Sequence, residues 1–147
     1  MARSAGRRRT ATTKAQPQAA HALVLDADGL SKAATGDPRA VAWIARAREL
    51  NLPLVLNAVT LTETLRGTKR DAHVHLLTRN ARVDTVDPAF ASDAGHLLGR
   101  TKRSDTVDAL VAVSAIRLDA PAVILTSDPG DLAALTADFP DIRVVAV

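Results

Sequence analysis

Cysteine is absent from the 147-residue chain, so disulfides and thiolate metal sites are excluded and only hard oxygen ligands remain in quantity. Tyrosine is missing too, and the aromatics are limited to Trp43, Phe90 and Phe139. A protein that grips single strands by base stacking needs exposed aromatic platforms, and this chain has almost none to spare. No apolar stretch approaches the roughly 18 residues needed to span a bilayer, and the N-terminus lacks the apolar centre of a secretory signal. These absences lead us to expect a soluble, cytoplasmic protein with no membrane partner and an aliphatic core. Apolar residues make up 47% of the chain, mostly Ala, Val and Leu, and the length suits one domain with one core.

The net charge of +3 conceals an asymmetry. Arg3, Arg7, Arg8, Arg9 and Lys14 stand in an opening segment that contains no acid. Removing those five from the 19 basic residues leaves 14 against 16 acids, a net −2 for the remainder. Residues 1–20 therefore read as a disordered basic tail, and residues 21–147 as a mildly acidic domain.

Short β-rich runs alternate with helical patterns along that domain. Candidate strands are 22–26, 53–57, 82–85, 122–126 and 142–147, and the first, second and fourth are continuous apolar runs of the kind buried on both faces. Helical spacing marks 38–50, 60–79 in two pieces broken near Gly67, 88–118 in two pieces broken near 99–104, and 129–138. Asp37 before Pro38 announces the first of these. The alternation predicts the α/β class, a parallel sheet with helices on both faces and right-handed crossovers.

In such a sheet the loops leaving the C-terminal strand ends share one edge, where open α/β folds place their ligands. Asp26 ends the first strand, Glu63 follows the second, and Asp128 follows the fourth. Asp105 and Asp108 share the first turn of a later helix. Each acid also has a purely structural reading. Asp28 suits an N-cap ahead of Gly29, Thr60 and Glu63 have capping-box spacing, Asp105 and Asp108 complement a helix dipole, and Asp128 caps a helix opening at Pro129. Stability devices need no common edge, however, whereas carboxylates gathered at one edge repel and raise each other's pKa. A divalent cation offsets that repulsion, and Mg2+ or Mn2+ takes oxygen ligands of this kind.

Four blocks in order resemble the PIN-domain nucleases, particularly the small VapC-type toxins. They are VLDADGL, VTLTETLRG, SDTVDALVAVSAIRL and VILTSDPGDL, and the likeness covers about residues 22–147. The resemblance implies a three-layer PIN-like fold with a central parallel five-stranded sheet of order 3-2-1-4-5. It also implies that Asp26, Glu63 and Asp108 are the metal-binding acids, with Asp128 as a fourth catalytic acid. Asp105 would be an accessory, and Thr126 would support the site by hydrogen bonding. Asp28 departs from the family's usual small hydroxyl residue or Asn and stays an unassigned candidate.

The implied activity is endoribonuclease cleavage, in which the cation polarises a phosphate oxygen and activates water, releasing a 3′-hydroxyl. Lys69, Arg70, Arg100, Lys102 and Arg103 are candidates for holding the RNA backbone, which positions substrate without reading sequence. The likeness further implies a small antitoxin partner and a homodimer.

Two rival readings remain. DADG after a strand also suits aspartate-nucleophile phosphatases, which need a Lys and a further acidic pair on later strands, but the LTSD block is followed by one strand and no Lys. A non-catalytic PIN-like RNA-binding or interaction module is the other, although a retired site has no reason to keep mutually repelling groups. His21, His73, His75 and His96 lack zinc-site spacing, Ser114 lies in an apolar helical run, and no Gly-rich strand-to-helix turn cradles phosphate.

Overall fold

A computed structural model describes residues 19–147; the basic segment 1–18 lies outside the described residues, and with it most of the expected tail. Five strands carry the domain: β1 (Ala22–Leu25), β2 (Leu54–Asn57), β3 (Arg82–Asp84), β4 (Ala122–Thr126) and β5 (Ile142–Ala146). They pair in parallel throughout, in the order β3-β2-β1-β4-β5, as the family resemblance implies. Seven helices connect them: α1 (Ala27–Thr35), α2 (Pro38–Glu49), α3 (Ala58–Thr64), α4 (Asp71–Thr78), α5 (Pro88–Thr101), α6 (Thr106–Ile116) and α7 (Pro129–Leu135).

Successive side chains of a strand point to opposite faces, so each central strand feeds two cores. From β1, Ala22 and Val24 pack with Phe90, Ala94 and Leu97 of α5 and with the buried face of α6. Leu23 and Leu25 pack on the other side with Leu30 of α1, Ile44 of α2 and Val74 of α4. Burial of one such large aliphatic side chain stabilises the fold by about 1.5–3 kcal/mol. Every residue from Ala109 to Ala115 in α6 is buried. Its small side chains let it lie deep against the sheet, and Ser114 packs there with its hydroxyl donating to the Leu110 carbonyl oxygen at 3.3 Å.

Asp-Pro pairs open three helices. Asp37, Asp87 and Asp128 cap α2, α5 and α7, each followed by a proline at the first helical position, where the missing N–H costs nothing. Two capping expectations are corrected. β1 ends at Leu25, one residue earlier than expected, so the N-cap of α1 is Asp26, accepting from the Gly29 N–H at 2.6 Å, and Asp28 sits inside the first turn. For α3 the cap is Asn57, accepting from Val59 and Thr60 N–H at 2.9 and 3.2 Å. Thr60 is thus interior and buried, and no capping box ties Glu63 back to it.

Gly29 fixes how α1 meets the sheet. A Cβ there would stand 2.5 Å from the Leu125 carbonyl oxygen, so only glycine lets the first turn of α1 press against the end of β4. That approach sets Asp26 and Asp28 beside the loop that follows β4.

Candidate active site

All five strands run the same way, so β1, β2 and β4 deliver their following residues to one edge. β1 brings Asp26, with Asp28 in the first turn of α1. β2 leads through Asn57 into α3 and Glu63. β4 brings Thr126, Ser127 and Asp128, and α7 adds Asp131. The link between α5 and α6 ends at Asp105, the N-cap of α6, which accepts from the Asp108 N–H at 2.9 Å.

Carboxylate oxygens of Asp105, Asp108 and Asp131 all lie within 4.8 Å of one another. Asp108 feels this most. Burial first, then the charges of Asp105, Asp26, Asp131 and Asp128, push its pKa up to about 6. Glu63 is also raised, by burial and then by Asp105 and Asp28, against a smaller opposing effect of the Arg66 cation. Asp26 is raised mainly by burial, with Asp28 and Glu63 adding to it, while the Thr126 hydroxyl and the Gly29 N–H pull the other way. Seven acids from four stretches of the chain therefore form one electrostatic unit.

Their orientations are set locally. One oxygen of Asp26 is held by Gly29 N–H, one of Asp105 by Asp108 N–H, one of Asp128 by Gly130 N–H at 3.3 Å, and one of Asp131 by the Arg103 guanidinium at 2.9 Å. Among the described residues the second oxygens of Asp105, Asp128 and Asp131 take no hydrogen bond, which leaves them available to a ligand, while the Thr126 hydroxyl lies against the Asp26 carboxylate. Ser127 donates to Asp28, joining α1 to the β4 loop. Thr126 accepts from the Asp128 N–H at 3.1 Å and lies against Asp26, so it links two acids of the site.

Asp105, expected as an accessory, stands inside the tightest carboxylate group beside Asp108, and Asp131 from the first turn of α7 stands there with them. The available signal was its position three residues after the Asp128 cap, one turn along the same helix face. The basic candidates divide. Arg103 reaches the acids through Asp131, whereas Arg100 lies over the Phe139 ring, 5.9 Å from its centre, in a separate hollow of about 380 Å³ with His96 and Arg117. Lys102 ends α5 in a left-handed conformation, with φ of 54°. Lys69 and Arg70 line a groove of about 1000 Å³ running between α1 and α4.

Oxygen donors alone, several of them anionic and with no thiolate or histidine among them, fit a hard dication such as Mg2+ or Mn2+. The PIN domain family model matches residues 23–136. The chain belongs to the PIN domain family. Within this PIN domain the matched segment runs from β1 to the residue after α7 and contains all seven acids.

Solved structures share the architecture. FitAcB from Neisseria gonorrhoeae superposes with a TM-score of 0.62 at 21% identity, covering 83% of this chain and 95% of that one. VapBC2 from Rickettsia felis, bound to a DNA fragment from their promoter, gives 0.62 at 12% identity over 85% and 98% of the two chains. VapBC-1 from nontypeable Haemophilus influenzae gives 0.58 at 19% identity over 84% and 96%. At these identities the likeness is one of fold. No curated protein matches the sequence.

Proposed function

We propose that this PIN domain is a metal-dependent endoribonuclease and the toxin of a toxin–antitoxin pair. The observation that carries the reading is the gathering of Asp105, Asp108 and Asp131 oxygens within 4.8 Å, electrostatically joined to Asp26 and Glu63 at the C-terminal sheet edge. Asp26, Glu63 and Asp108 would hold Mg2+ or Mn2+, with Asp105, Asp128 and Asp131 adjoining. When bound, the cation supplies a Lewis acid for a phosphate oxygen and a water of lowered pKa for attack at phosphorus.

The chain's own groups prepare that chemistry. Backbone N–H groups fix one oxygen each of Asp26 and Asp105, so those carboxylates face the site without loss of rotamer freedom on binding. Thr126 holds Asp26 and Asp128 in register. Arg103 partly neutralises Asp131, which eases the approach of an anionic substrate.

Likeness to FitAcB and to the VapBC structures supports an antitoxin partner. The homodimer and the cytoplasmic location belong to the same reading; among the described residues no helix is long and apolar enough to cross a membrane.

Incubation with labelled single-stranded RNA tests the activity. Cleavage is expected with Mg2+ or Mn2+, none with EDTA, and none for Asp26→Ala. Cleavage indifferent to both the chelator and the substitution would defeat the mechanism. Intact RNA under all metal conditions favours the non-catalytic module.

A further inference from the structure

Beside the acid cluster, the segment from Arg66 to Arg70 turns around one buried carboxylate. Asp71 is 8% exposed and receives three consecutive backbone N–H groups: Arg66 at 3.1 Å, Gly67 at 2.7 Å and Thr68 at 3.3 Å. Gly67 makes the convergence possible with φ of 73°, in the left-handed region. Burial raises the Asp71 pKa, but those N–H groups outweigh it and hold the carboxyl below the usual range, so it stays ionised. Its charge is thereby spent on the backbone. Arg66, Lys69 and Arg70 stand on the exposed side of the turn, and among the described residues none is paired with a carboxylate.

All three line the groove of about 1000 Å³, whose floor is the small side of α1 at Ala33 and Ala34 and Val74 of α4. The groove is flanked by neighbours of the acid site. Ser31 on its wall is one helical turn beyond Asp28, Thr64 follows Glu63, and the Arg66 cation already acts on Glu63. Three cations around a groove that holds no Phe, Tyr or Trp match a ribose–phosphate chain gripped through its phosphates.

We infer that this groove carries the backbone of single-stranded RNA to or from the acid cluster, and that Asp71 is the positioning residue that shapes the basic turn. The inference rests on the nuclease reading. Arg66, folded onto the Thr62 and Leu65 carbonyl oxygens, marks where the strand leaves the acids, and Lys69 and Arg70 hold it farther along.

The test is RNA binding rather than cleavage, measured by fluorescence anisotropy over a salt series in an Asp108→Asn background. Adding Lys69→Ala with Arg70→Ala should weaken binding about tenfold and flatten the log–log salt slope by about 1.4, two phosphate contacts at about 0.7 each. Asp71→Ala gives the sharper sign. Removing an acid should tighten binding to a polyanion on charge alone, whereas loss of the turn should weaken it despite the added positive charge.

Weaker binding by a folded Asp71→Ala protein supports the inference, and tighter or unchanged binding overturns it. Should Asp71→Ala not fold, the lysine–arginine pair decides. Unchanged affinity and slope there overturn the groove assignment, as does an antitoxin helix found protecting the α1–α4 groove from hydrogen exchange while RNA does not. Wild-type protein that cleaves RNA while these variants bind it normally sinks only this inference. Wild-type protein that neither binds nor cleaves RNA sinks the nuclease reading itself.

Discussion

Replacing Asp108 with asparagine should stabilise the metal-free protein, because the carboxylate it removes is held among like charges. Its pKa rises from 3.8 to about 6 through burial and four neighbouring acids. A raised folded-state pKa gives a stabilising contribution that is complete below about pH 3.8 and lost as pH climbs through 6. Above pH 7 the ionised group is a net destabiliser. At full strength the shift corresponds to about 3 kcal/mol, which solvent around this half-exposed side chain reduces to about 1 kcal/mol.

The favourable placement of an acid in the first turn of α6 is already outweighed, since the net shift is upward. One kcal/mol moves the melting temperature of a domain this size by about 3 °C. Thermal melts in EDTA should therefore place Asp108→Asn about 3 °C above wild type at pH 7.5 and close to it at pH 4.5. Mg2+ should reverse the order at pH 7.5, since ligand at ten times its Kd adds about 1.4 kcal/mol to wild type alone. An asparagine variant melting lower than wild type in EDTA at pH 7.5 refutes the repulsion argument and makes Asp108 a structural residue.

Gly29→Ala should lower stability by about 1–3 kcal/mol, read as a shift in the urea midpoint, because its Cβ would meet the Leu125 carbonyl oxygen at 2.5 Å; an unchanged midpoint would show that α1 does not press on β4. Asp26→Asn should keep the α1 cap, since Asn caps as well as Asp, and so melt no lower than wild type while losing RNA cleavage. A destabilised but active Asp26→Asn protein contradicts the assignment. Arg103→Ala should change stability by less than about 1 kcal/mol, as expected for an exposed ion pair, yet increase Mn2+ affinity by freeing an Asp131 oxygen. Calorimetry showing weaker Mn2+ binding in that variant would instead assign Arg103 to holding Asp131 in place.

Much of the architecture was legible because β1, β2 and β4 are apolar runs buried on both faces, and because Asp-Pro pairs mark three helix starts. The sheet order came from the resemblance, since periodicity carries no information about which strands adjoin. The caps of α1 and α3 were misplaced for one reason: a polar residue ending a strand and one opening a helix look alike in sequence; Asn57 does both, and Asp26, expected to end β1, only opens α1. Asp26, directly after β1, was readable from strand position alone, and Glu63, inside α3, from its following β2 along the chain. For Asp131 local spacing gives only a place one turn beyond the Asp128 cap; its meeting with Asp105 and Asp108 depends on how α7 packs beside α6, a long-range contact. Arg66 escaped notice for a similar reason, since its effect on Glu63 arises from the turn organised around Asp71.

Titration of Mn2+ into wild type and Asp108→Asn protein, followed by loss of the free-ion electron paramagnetic resonance signal, tests the central claim most directly. Saturable binding at pH 7.5 that weakens below pH 6 in wild type and is lost in Asp108→Asn is the predicted result. Equal binding by the two proteins, or no saturable binding by wild type, would contradict the assignment of these carboxylates to a dication.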